Sequence, residues 1–493
     1  MTTSIQQQGT VDFRGDSPAP PVWLGRRKLF EFATTGLFST AVLDLLNDNL
    51  PADDRESSAF PQFPAKAKHV IHMTLVGGYS QVDSFDYKPE LAKLHGKEIP
   101  GGQKPDTFFG SAGLIHQNHW SFKRRGQSGI WISEMFPHLA DLADELTIIN
   151  SMVSETANHT PATFQQLTGF QANGFPTMGS WLSYGLGNVS DSLPTFVVLP
   201  DQRSLPSGGA ANWQNGFLPA EHQGTLFRNG EVPIRDLFPQ RSIDPRKEAD
   251  ARRLLQSLNA QHLENHPEDP ILKARVQAFE LAAKMQLSVP GVTRFDNETK
   301  ATQDLYGIGN PATDDCGRRC LLARRLVERG VRYVHVYSGG SFGGKPRHGW
   351  DSHENCRVDH AREAKRIDQP IAALIKDLKR TGLLEETIVL FTTEFGRTPF
   401  ANAPQGKIGL GRDHNPEGFT CWLAGGGAKP GLIYGKTDEI GWKSVEQKVH
   451  WHDFHATVLH LLGIDHERLT FYHNGIERRL TNVHGHVIRD LLA

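Results

Sequence analysis

The sequence predicts an α/β protein whose central sheet is mostly parallel and carries helices on both faces. Short apolar runs rich in β-branched residues alternate along the chain with longer segments of helical periodicity, and this alternation is typical of a parallel sheet. Charged and polar residues follow the apolar runs more often than they precede them. Because ligands of open α/β sheets bind beyond the carboxyl ends of the strands, we expect a functional site at that edge.

The predicted strands share a short apolar core and an abrupt polar end, and the predicted helices share apolar residues at helical spacing. Strands are expected at residues 69–76, 146–152, 194–200, 331–337, 387–393 and 419–423. Helices are expected at about 161–168, 246–290, 314–329, 357–381 and 453–462. No linker interrupts this pattern, so we expect a single domain over residues 66–493.

Residues 1–65 are rich in Pro, Ser and Asp and are expected to form a tail outside the folded core. Arg26 and Arg27 precede the weakly apolar segment FATTGLFSTAVLDLL, a pattern that resembles a bacterial twin-arginine export signal. A basic-capped amphipathic helix is the alternative interpretation. We predict export to the periplasm or another extracytoplasmic compartment.

Bulk composition argues against some classes of partner. The 493 residues carry a formal net charge of −2, so we expect no nucleic-acid partner. No run of about 20 apolar residues occurs, so we expect no permanent membrane span. The 23 histidines favour an enzyme, because imidazole is a common metal ligand and proton carrier near neutral pH. The sequence leaves the oligomeric state open.

Two glycines, Gly77 and Gly78, end the first predicted strand, and Ser80, Asp83 and Asp86 follow them. A glycine pair allows a tight turn or a close approach of the backbone to a ligand. Asp83 would then lie at the same rim as acidic residues that follow later strands. The alternative is that the serine and the two aspartates serve turns and a helix N-cap.

The run at 146–152 is followed by a polar loop that carries Asn158 and His159, and Pro161 then stands near the first helical turn. The N-terminus of a helix favours an anion, because its free N–H groups and its dipole point there. We therefore expect this segment to face an anionic ligand, with Asn158 among the binding residues.

Asp351 and His353, with His348 nearby, follow the run at 331–337 in a Gly-rich loop. An aspartate and histidines at the end of a strand are the residue types that hold a divalent metal. This loop is therefore the first predicted cluster of metal ligands.

Glu394 ends the run at 387–393, and Gly396, Arg397 and Pro399 are expected to break that strand. A flexible loop rich in Gly, Asn and Pro then delivers three consecutive candidates, Arg412, Asp413 and His414. Two acids and an imidazole on adjoining segments suit a divalent metal. A salt bridge between Glu394 and Arg397 beside a solvated loop is the alternative.

Several segments together resemble the DUF1501 family, over about residues 68–493. They are GGYSQVDSFDYKPEL, GQSGIWISEMFPHLA, CLLARRLVERGVRYVHVY, WDSHEN, EFGRTPF, GRDHNPEGFTCWLAGGG and HDFHATVLHLLGID. Members of that family are exported bacterial proteins, abundant in planctomycetes and often labelled sulfatase-like. The resemblance extends to the alkaline phosphatase and sulfatase superfamily and implies that fold.

Comparison with the sulfatase motifs shows both agreement and departure. His159-Thr160-Pro161, with Thr168-Gly169 downstream, keeps the spacing of the C-x-P-x-R…T-G signature. His159 therefore stands at the position of the cysteine that becomes formylglycine, and Thr163 stands at the position of the arginine. Gly77-Gly78 replaces the first-strand pair of aspartates, and Glu394 stands at a later ligand position.

The resemblance implies an exported, metal-dependent hydrolase of phosphate or sulfate esters that does not use formylglycine. A phosphorylated or sulfated small molecule or glycan would be the substrate, and zinc, calcium, magnesium or manganese would be the metal. The implied metal ligands are Asp351, His353, Glu394 and His414, with Asp83 and Asp413 as further candidates. The implied catalytic residues are His159, as nucleophile, base or ligand, Thr160 and Arg397. Arg397 or Arg412 would steady the substrate anion.

A non-catalytic exported binding or scaffold protein that retains the sulfatase-like fold is the competing hypothesis. The missing first-strand acids and the missing Cys/Arg pair favour it. The density of Asp and His residues at strand ends opposes it, because such charges cluster where a ligand or a metal compensates them.

Overall fold

The structure, a computed structural model, describes residues 60–102, 107–108, 110, 112–230, 232–235, 237–238, 243–340 and 349–493. The predicted export signal at Arg26 and Arg27 lies outside the described residues, as does His348. In the described part, the strands in chain order are β1 (His69–Leu75), β2 (Phe122–Arg125), β3 (Ile130–Ser133), β4 (Leu146–Val153), β5 (Phe196–Leu199), β6 (Thr225–Leu226), β7 (Tyr333–Ser338), β8 (Thr387–Thr392), β9 (Gly396–Ala401), β10 (Arg412–Asn415), β11 (Phe419–Ala424), β12 (Leu432–Tyr434), β13 (Lys436–Thr437), β14 (Ser444–Glu446), β15 (Val449–His450), β16 (Phe471–His473) and β17 (Ile476–Arg478).

The helices of the same ranges lie between these strands, as an α/β alternation requires. They are α1 (Glu90–Lys93), α2 (Pro137–Ala140), α3 (His159–Thr168), α4 (Met178–Leu186), α5 (Pro245–Asn265), α6 (Pro270–Thr293), α7 (Lys300–Leu305), α8 (Asp314–Val327), α9 (Cys356–Arg380) and α10 (Trp451–Leu461). None of the helices in the described ranges is long and apolar enough to cross a bilayer.

Nine strands form one central sheet in the order β12–β4–β11–β8–β1–β7–β5–β6, with β15 joined to β4. β1 pairs in parallel with β7 and β8, which places His72 in register with His335 and Leu390. β11 runs antiparallel to both neighbours, whereas the other pairs of this sheet are parallel. The carboxyl ends of β1, β4, β7 and β8 therefore open at one edge. The predicted α/β class with a mostly parallel sheet is confirmed.

Two apolar cores cover the two faces of the sheet, because successive side chains of a strand point to opposite faces. On β1, Ile71 and Met73 pack into a core with α8 and α9. Val70, which precedes Ile71 and points to the opposite face, packs into a second core with α4 and α10. The helices thus lie on both faces, as the sequence predicted.

A buried polar network lies between the sheet and α3. His72 Nε2 lies 2.6 Å from the Thr392 hydroxyl, and the Gln166 side-chain amide donates to the same hydroxyl at 2.6 Å. His72 Nδ1 lies 2.5 Å from the Tyr333 hydroxyl, and the His72 ring stacks on His335 with centroids 4.7 Å apart. Because Gln166 belongs to α3, these contacts hold that helix against the central strands.

The segment after β8 differs from the predicted flexible loop. β9 and β10 pair as an antiparallel ribbon, so the segment Arg412–Asn415 lies on a strand and not in a loop. β8 itself ends at Thr392, as the predicted strand break requires, but Arg397 and Pro399 lie on a new strand and not in a loop. Proline is tolerated in β9 because both strands of a two-stranded ribbon are edge strands, which need hydrogen bonds on one side only.

Burial of neutral His72 makes stability depend on pH. Burial lowers the pKa of His72 from 6.5 to about 3. The unfolded chain therefore binds a proton at this residue below about pH 6.5 while the folded chain does not, so stability falls as the pH falls. We expect His72→Gln, which keeps hydrogen-bonding groups without titrating, to reduce the pH slope of unfolding free energy between pH 4 and 6 by about 1.4 kcal/mol per pH unit. Urea unfolding across this range measures the slope.

The matched control is His95→Gln at an exposed position, which should leave the slope at its wild-type value. The same slope in wild type and in His72→Gln would show that the buried imidazole is not a source of acid sensitivity.

Candidate metal centre

Three imidazoles and one carboxylate meet at the carboxyl edge of the sheet. His159 opens α3 shortly after β4, Asp351 and His353 follow β7, and His414 lies on β10. Oδ1 of Asp351 lies 2.7 Å from Nε2 of His353, 3.3 Å from Nε2 of His414 and 3.5 Å from Nε2 of His159. Segments distant in sequence thus direct donor atoms to one point.

The spacing of three of these donor groups, Asp351, His159 and His414, fits a tetrahedral ion. Two imidazole nitrogens that each lie about 2.0–2.1 Å from a zinc ion are separated by roughly 3.3–3.4 Å. Asp351 Oδ1 lies 3.3 Å from Nε2 of His414 and 3.5 Å from Nε2 of His159, close to this separation. Nε2 of His353 lies closer, at 2.7 Å from Asp351 Oδ1 and 3.0 Å from Nε2 of His414. The donor set, imidazole with one carboxylate, is also the set that zinc prefers.

Glu394 orients the imidazole of His159. Nδ1 of His159 lies 2.8 Å from Oε1 of Glu394, and the same oxygen accepts the Gly77 N–H at 2.8 Å. The Thr393 hydroxyl donates to the other carboxylate oxygen at 3.2 Å. The proton on Nδ1 therefore points at Glu394 while Nε2 faces Asp351, an arrangement that commonly stands behind a metal-bound histidine. Burial opposes a charge on His159, yet the hydrogen bonds with Asp351 and Glu394 raise its pKa.

His414 is oriented in the same way by the backbone. Its Nδ1 donates to the carbonyl of Ala157 at 2.6 Å, which leaves Nε2 to face the cluster. Burial lowers the pKa of His414 well below its usual value and also lowers that of His353. Neutral imidazole is the form that binds a metal.

Two sets of three residues bring potential ligand atoms within 4.8 Å of one another, in the part of the chain that the structure describes. The first is His159, Asp351 and His414, and the second is His353, Asp413 and His414. Because Ala157 accepts from Nδ1 of His414, only Nε2 of that ring remains for an ion. One ion held through His414 can therefore draw on either set, but two ions cannot share that atom.

Arg397 fixes Asp351 from behind. The guanidinium is fully buried and donates to Asp351 Oδ1 at 2.9 Å, to the Gly78 carbonyl at 2.7 Å, to the Arg412 carbonyl at 3.1 Å and to the Gly77 carbonyl. Burial alone would raise the pKa of Asp351, but its contacts with the three histidines and the charge of Arg397 hold that pKa well below its usual range. The Asp351 carboxylate is therefore ionised, which is the form that binds a metal.

The turn after β1 needs glycine at position 77. Gly77 has a φ of +118°, and a Cβ there would lie 2.3 Å from the backbone nitrogen of Asp351. A side chain would thus push the Asp351 loop away from the cluster. Gly77 is therefore a point of close approach, and the group that approaches it is the Asp351 backbone.

Arg412 and Asp83 form a fully buried ion pair beside the cluster. Nε of Arg412 lies 2.8 Å from Asp83 Oδ2, and its other nitrogens donate to the carbonyls of Thr398 at 3.1 Å and Gln117 at 2.9 Å. Burial opposes ionisation of Asp83, but the Arg412 charge lowers its pKa below its usual range. Neither residue belongs to the two sets of potential ligands among the described residues, and Glu394 does not either.

The other predicted site residues lie at the start of α3. Asn158 is the exposed N-cap residue, and its side chain makes no capping hydrogen bond. The Thr160 hydroxyl contacts the Ser207 hydroxyl. His159, in the first position of the helix, is therefore the member of this segment whose side chain reaches the cluster.

Two aromatic rings and one side-chain amide contact the histidines of the cluster, and the sequence analysis did not predict them. Phe395 packs against His159 and His414, with centroids 4.9 and 4.4 Å away, and Phe108 stacks on His414 at 4.8 Å. The Asn402 side chain lies 2.9 Å from Nδ1 of His353. Of these three residues, only Phe395 could have been linked to the site from the sequence, because it directly follows Glu394 at the end of a predicted strand.

Comparisons with known proteins give one family and several distant structures. The family model described as "Protein of unknown function (DUF1501)" matches residues 67–492. A comparison with curated proteins finds no match.

The similar solved structures are enzymes of low identity to this chain. The lipoteichoic acid synthase LtaP from Listeria monocytogenes is 10% identical with a TM-score of 0.34, covering 82% of this chain and 76% of that one. The PsFucS1 sulfatase from Pseudoalteromonas sp. is 15% identical with a TM-score of 0.36, covering 81% and 68%. The phosphonate monoester hydrolase SpPMH from Silicibacter pomeroyi is 12% identical with a TM-score of 0.30, covering 66% and 68%. The family match spans nearly the whole described chain, so this protein belongs to the DUF1501 family.

Proposed function

We propose that this protein is an exported, metal-dependent hydrolase of phosphate or sulfate esters that does not use formylglycine. One observation carries the proposal: the Nε2 atoms of His159, His353 and His414 face the Asp351 carboxylate at the carboxyl edge of the sheet. Imidazole-rich donor sets favour zinc over magnesium and calcium, which prefer oxygen ligands. The substrate would be a phosphorylated or sulfated small molecule or glycan.

Each residue of the centre would have a separate role. His159, Asp351 and His414 would hold the ion, with His353 beside them. When bound, such an ion polarises an ester oxygen and makes water more acidic. Glu394 keeps the Nδ1 proton of His159 in place, so that Nε2 faces the centre. The N-terminus of α3 favours the negative charge of a phosphate or sulfate group.

The residues present also support independence from formylglycine. The position that resembles the sulfatase cysteine holds His159, which has neither a thiol nor a hydroxyl to convert. The four cysteines of the chain are all buried. An imidazole and an ion would therefore have to supply the chemistry.

The non-catalytic alternative has one specific observation in its favour. Arg397 and Arg412, which the sequence analysis assigned to the substrate anion, are fully buried and hydrogen-bonded to protein groups. Neither guanidinium faces a substrate. A binding or scaffold protein could keep such residues for structure alone.

Metal content separates these functions. We expect the purified protein to hold about one equivalent of a divalent ion, with zinc bound most tightly. Asp351→Ala and His414→Ala should each lose most of it because each removes a donor, and Glu394→Gln should weaken binding by about 10–100-fold. Elemental analysis and zinc titration measure both quantities.

His452→Ala is the matched control, since that imidazole is also buried and hydrogen-bonded but lies outside both sets of potential ligands. It should keep the ion. A well-folded wild type that holds no ion and takes up none on titration would reject the hydrolase and favour the scaffold.

Turnover tests the role of His159. We expect His159→Ala to lower the hydrolysis of p-nitrophenyl phosphate, bis(p-nitrophenyl) phosphate or p-nitrophenyl sulfate by at least about 100-fold, because it removes a group at the reacting edge. Thermal unfolding should remain cooperative, since α3 is also held by Gln166. Release of p-nitrophenol measures the rate.

Thr160→Val is the discriminating variant. A large loss of turnover in Thr160→Val with activity retained in His159→Ala would move the catalytic role from the imidazole to the hydroxyl. The His452→Ala protein again serves as the control for a buried histidine outside the centre.

Export is tested separately from chemistry. The proposal of export is supported by Arg26 and Arg27 ahead of a weakly apolar segment. Replacing both with lysine should retain the protein in the cytoplasm of a bacterial host, because twin-arginine signals require that pair. Cell fractionation followed by immunoblotting measures the distribution. The control replaces Arg124 and Arg125 with lysine, and equal export of all three proteins would contradict the proposal.

A further inference from the structure

The three imidazoles of the centre differ in the group that faces their Nδ1 atoms. Nδ1 of His159 lies 2.8 Å from a carboxylate oxygen of Glu394, and Nδ1 of His414 donates to the Ala157 carbonyl at 2.6 Å. Both of these neighbours are acceptors, so each ring carries its proton on Nδ1 and turns a lone pair on Nε2 toward the centre. His353 has a neighbour of the opposite kind.

Nδ1 of His353 faces the side-chain amide of Asn402. The amide N–H donates to Nδ1 at 2.9 Å, so this nitrogen holds a lone pair and the ring carries its proton on Nε2. An acceptor also lies on this side of the ring, but Oδ1 of Asp413 is 3.9 Å from Nδ1, which is beyond hydrogen-bond distance. That oxygen accepts the backbone N–H of His414 at 2.8 Å.

The surroundings of Nε2 of His353 require the same proton. Nε2 lies 2.7 Å from Oδ1 of Asp351 and 3.0 Å from Nε2 of His414. One neighbour is an ionised carboxylate oxygen and the other is a nitrogen with a lone pair, so both are acceptors. A bare nitrogen would repel them at these distances, whereas an N–H donates to them. The separation of 2.7 Å is also shorter than the roughly 3.3 Å between two ligand atoms of one tetrahedral ion.

We propose that His353 is a hydrogen-bond donor to Asp351 and not a metal ligand, and that Asn402 fixes its tautomer. This inference rests on the proposed function, because it assigns the ion to His159, Asp351 and His414. His353 is then a positioning residue, since it acts on the ion through the carboxylate that it holds.

Two donors would thus fix the same oxygen of Asp351. Arg397 donates to Oδ1 at 2.9 Å, and the Nε2–H of His353 donates to it at 2.7 Å. An orienting hydrogen bond to a coordinating carboxylate is a common feature of metal sites. The two donors come from different segments, so the carboxylate is held at one rotamer while its charge remains available to the ion.

The β9–β10 ribbon holds Asn402 at the ring. The backbone N–H of Asn402 donates to the Gly411 carbonyl at 2.9 Å, directly after the last residue of β9. A Cβ at Gly411 would overlap the carbonyl oxygen of His353, so the ribbon and the loop after β7 are in direct backbone contact. The position of the amide relative to the imidazole is therefore set by the backbone of both segments.

Neutron diffraction from ion-free crystals exchanged into heavy water tests the proton positions. We expect deuterium on Nε2 and none on Nδ1 of His353, the reverse at His414, and the two deuterium atoms of the Asn402 amide on the side of the ring. Deuterium on Nδ1 of His353, with or without a second on Nε2, would overturn the proposal. This result does not depend on whether the protein binds an ion.

Zinc affinity tests the assignment of the ion. His353→Gln should bind zinc within several-fold of wild type, because a glutamine amide N–H can replace the Nε2 donor. His353→Ala should weaken binding by about 10–100-fold, because it releases the Asp351 carboxylate. The matched control is His414→Gln, which should lose most of the zinc because its amide cannot replace a coordinating lone pair. Zinc titration followed by calorimetry measures the three affinities.

The outcomes separate this inference from the proposed function. A loss of zinc in His353→Gln as large as that in His414→Gln would show that His353 is a ligand and would overturn the inference. A wild type that takes up no zinc would reject the proposed function, and the neutron map would then still decide which nitrogen of His353 carries the proton.

Discussion

The buried guanidinium of Arg397 is the contact on which the candidate metal centre depends. It joins the turn after β1, the loop after β7 and the β9–β10 ribbon, because its donors reach Gly77, Gly78, Asp351 and the Arg412 carbonyl. A buried charge without partners would be strongly destabilising. Here the charge is matched by the Asp351 carboxylate and by four carbonyls, that of Trp350 included, so the three segments are held at fixed positions relative to one another.

The positions of His159 and His414 depend on how α3 and the segment before it pack against the three segments that Arg397 joins. Gln166 ties α3 to Thr392 on the adjacent strand β8, and this contact sets the position at which His159 enters the centre. The Ala157 carbonyl then turns the ring of His414. The orientation of each of these two imidazoles is thus decided by a group outside the set of potential ligands, which is a common property of metal sites.

The fold could be predicted from the sequence to a large extent, because parallel strands buried on both faces appear as continuous apolar runs. The runs that became β1, β4, β7 and β8 also indicated which edge would gather polar residues. The details of the centre could not be predicted in the same way. Whether Arg397 and Arg412 turn toward a ligand or into the protein depends on carbonyls and an acid supplied by distant segments. Glu394 lies behind His159 for a similar reason, since the Gly77 N–H that fixes it comes from another segment of the chain.

The ribbon segment β10 has a consequence for how this protein can diverge. Each of its four consecutive residues makes a different contact, because Arg412 pairs with Asp83, Asp413 stands near His353, His414 joins the centre, and Asn415 donates to the Gly418 carbonyl. An insertion of one residue would turn every side chain to the opposite face of the strand. The preceding residues 404–407 are exposed. Substitutions in this turn would therefore alter the protein surface beside the centre and leave the four contacts of β10 in place.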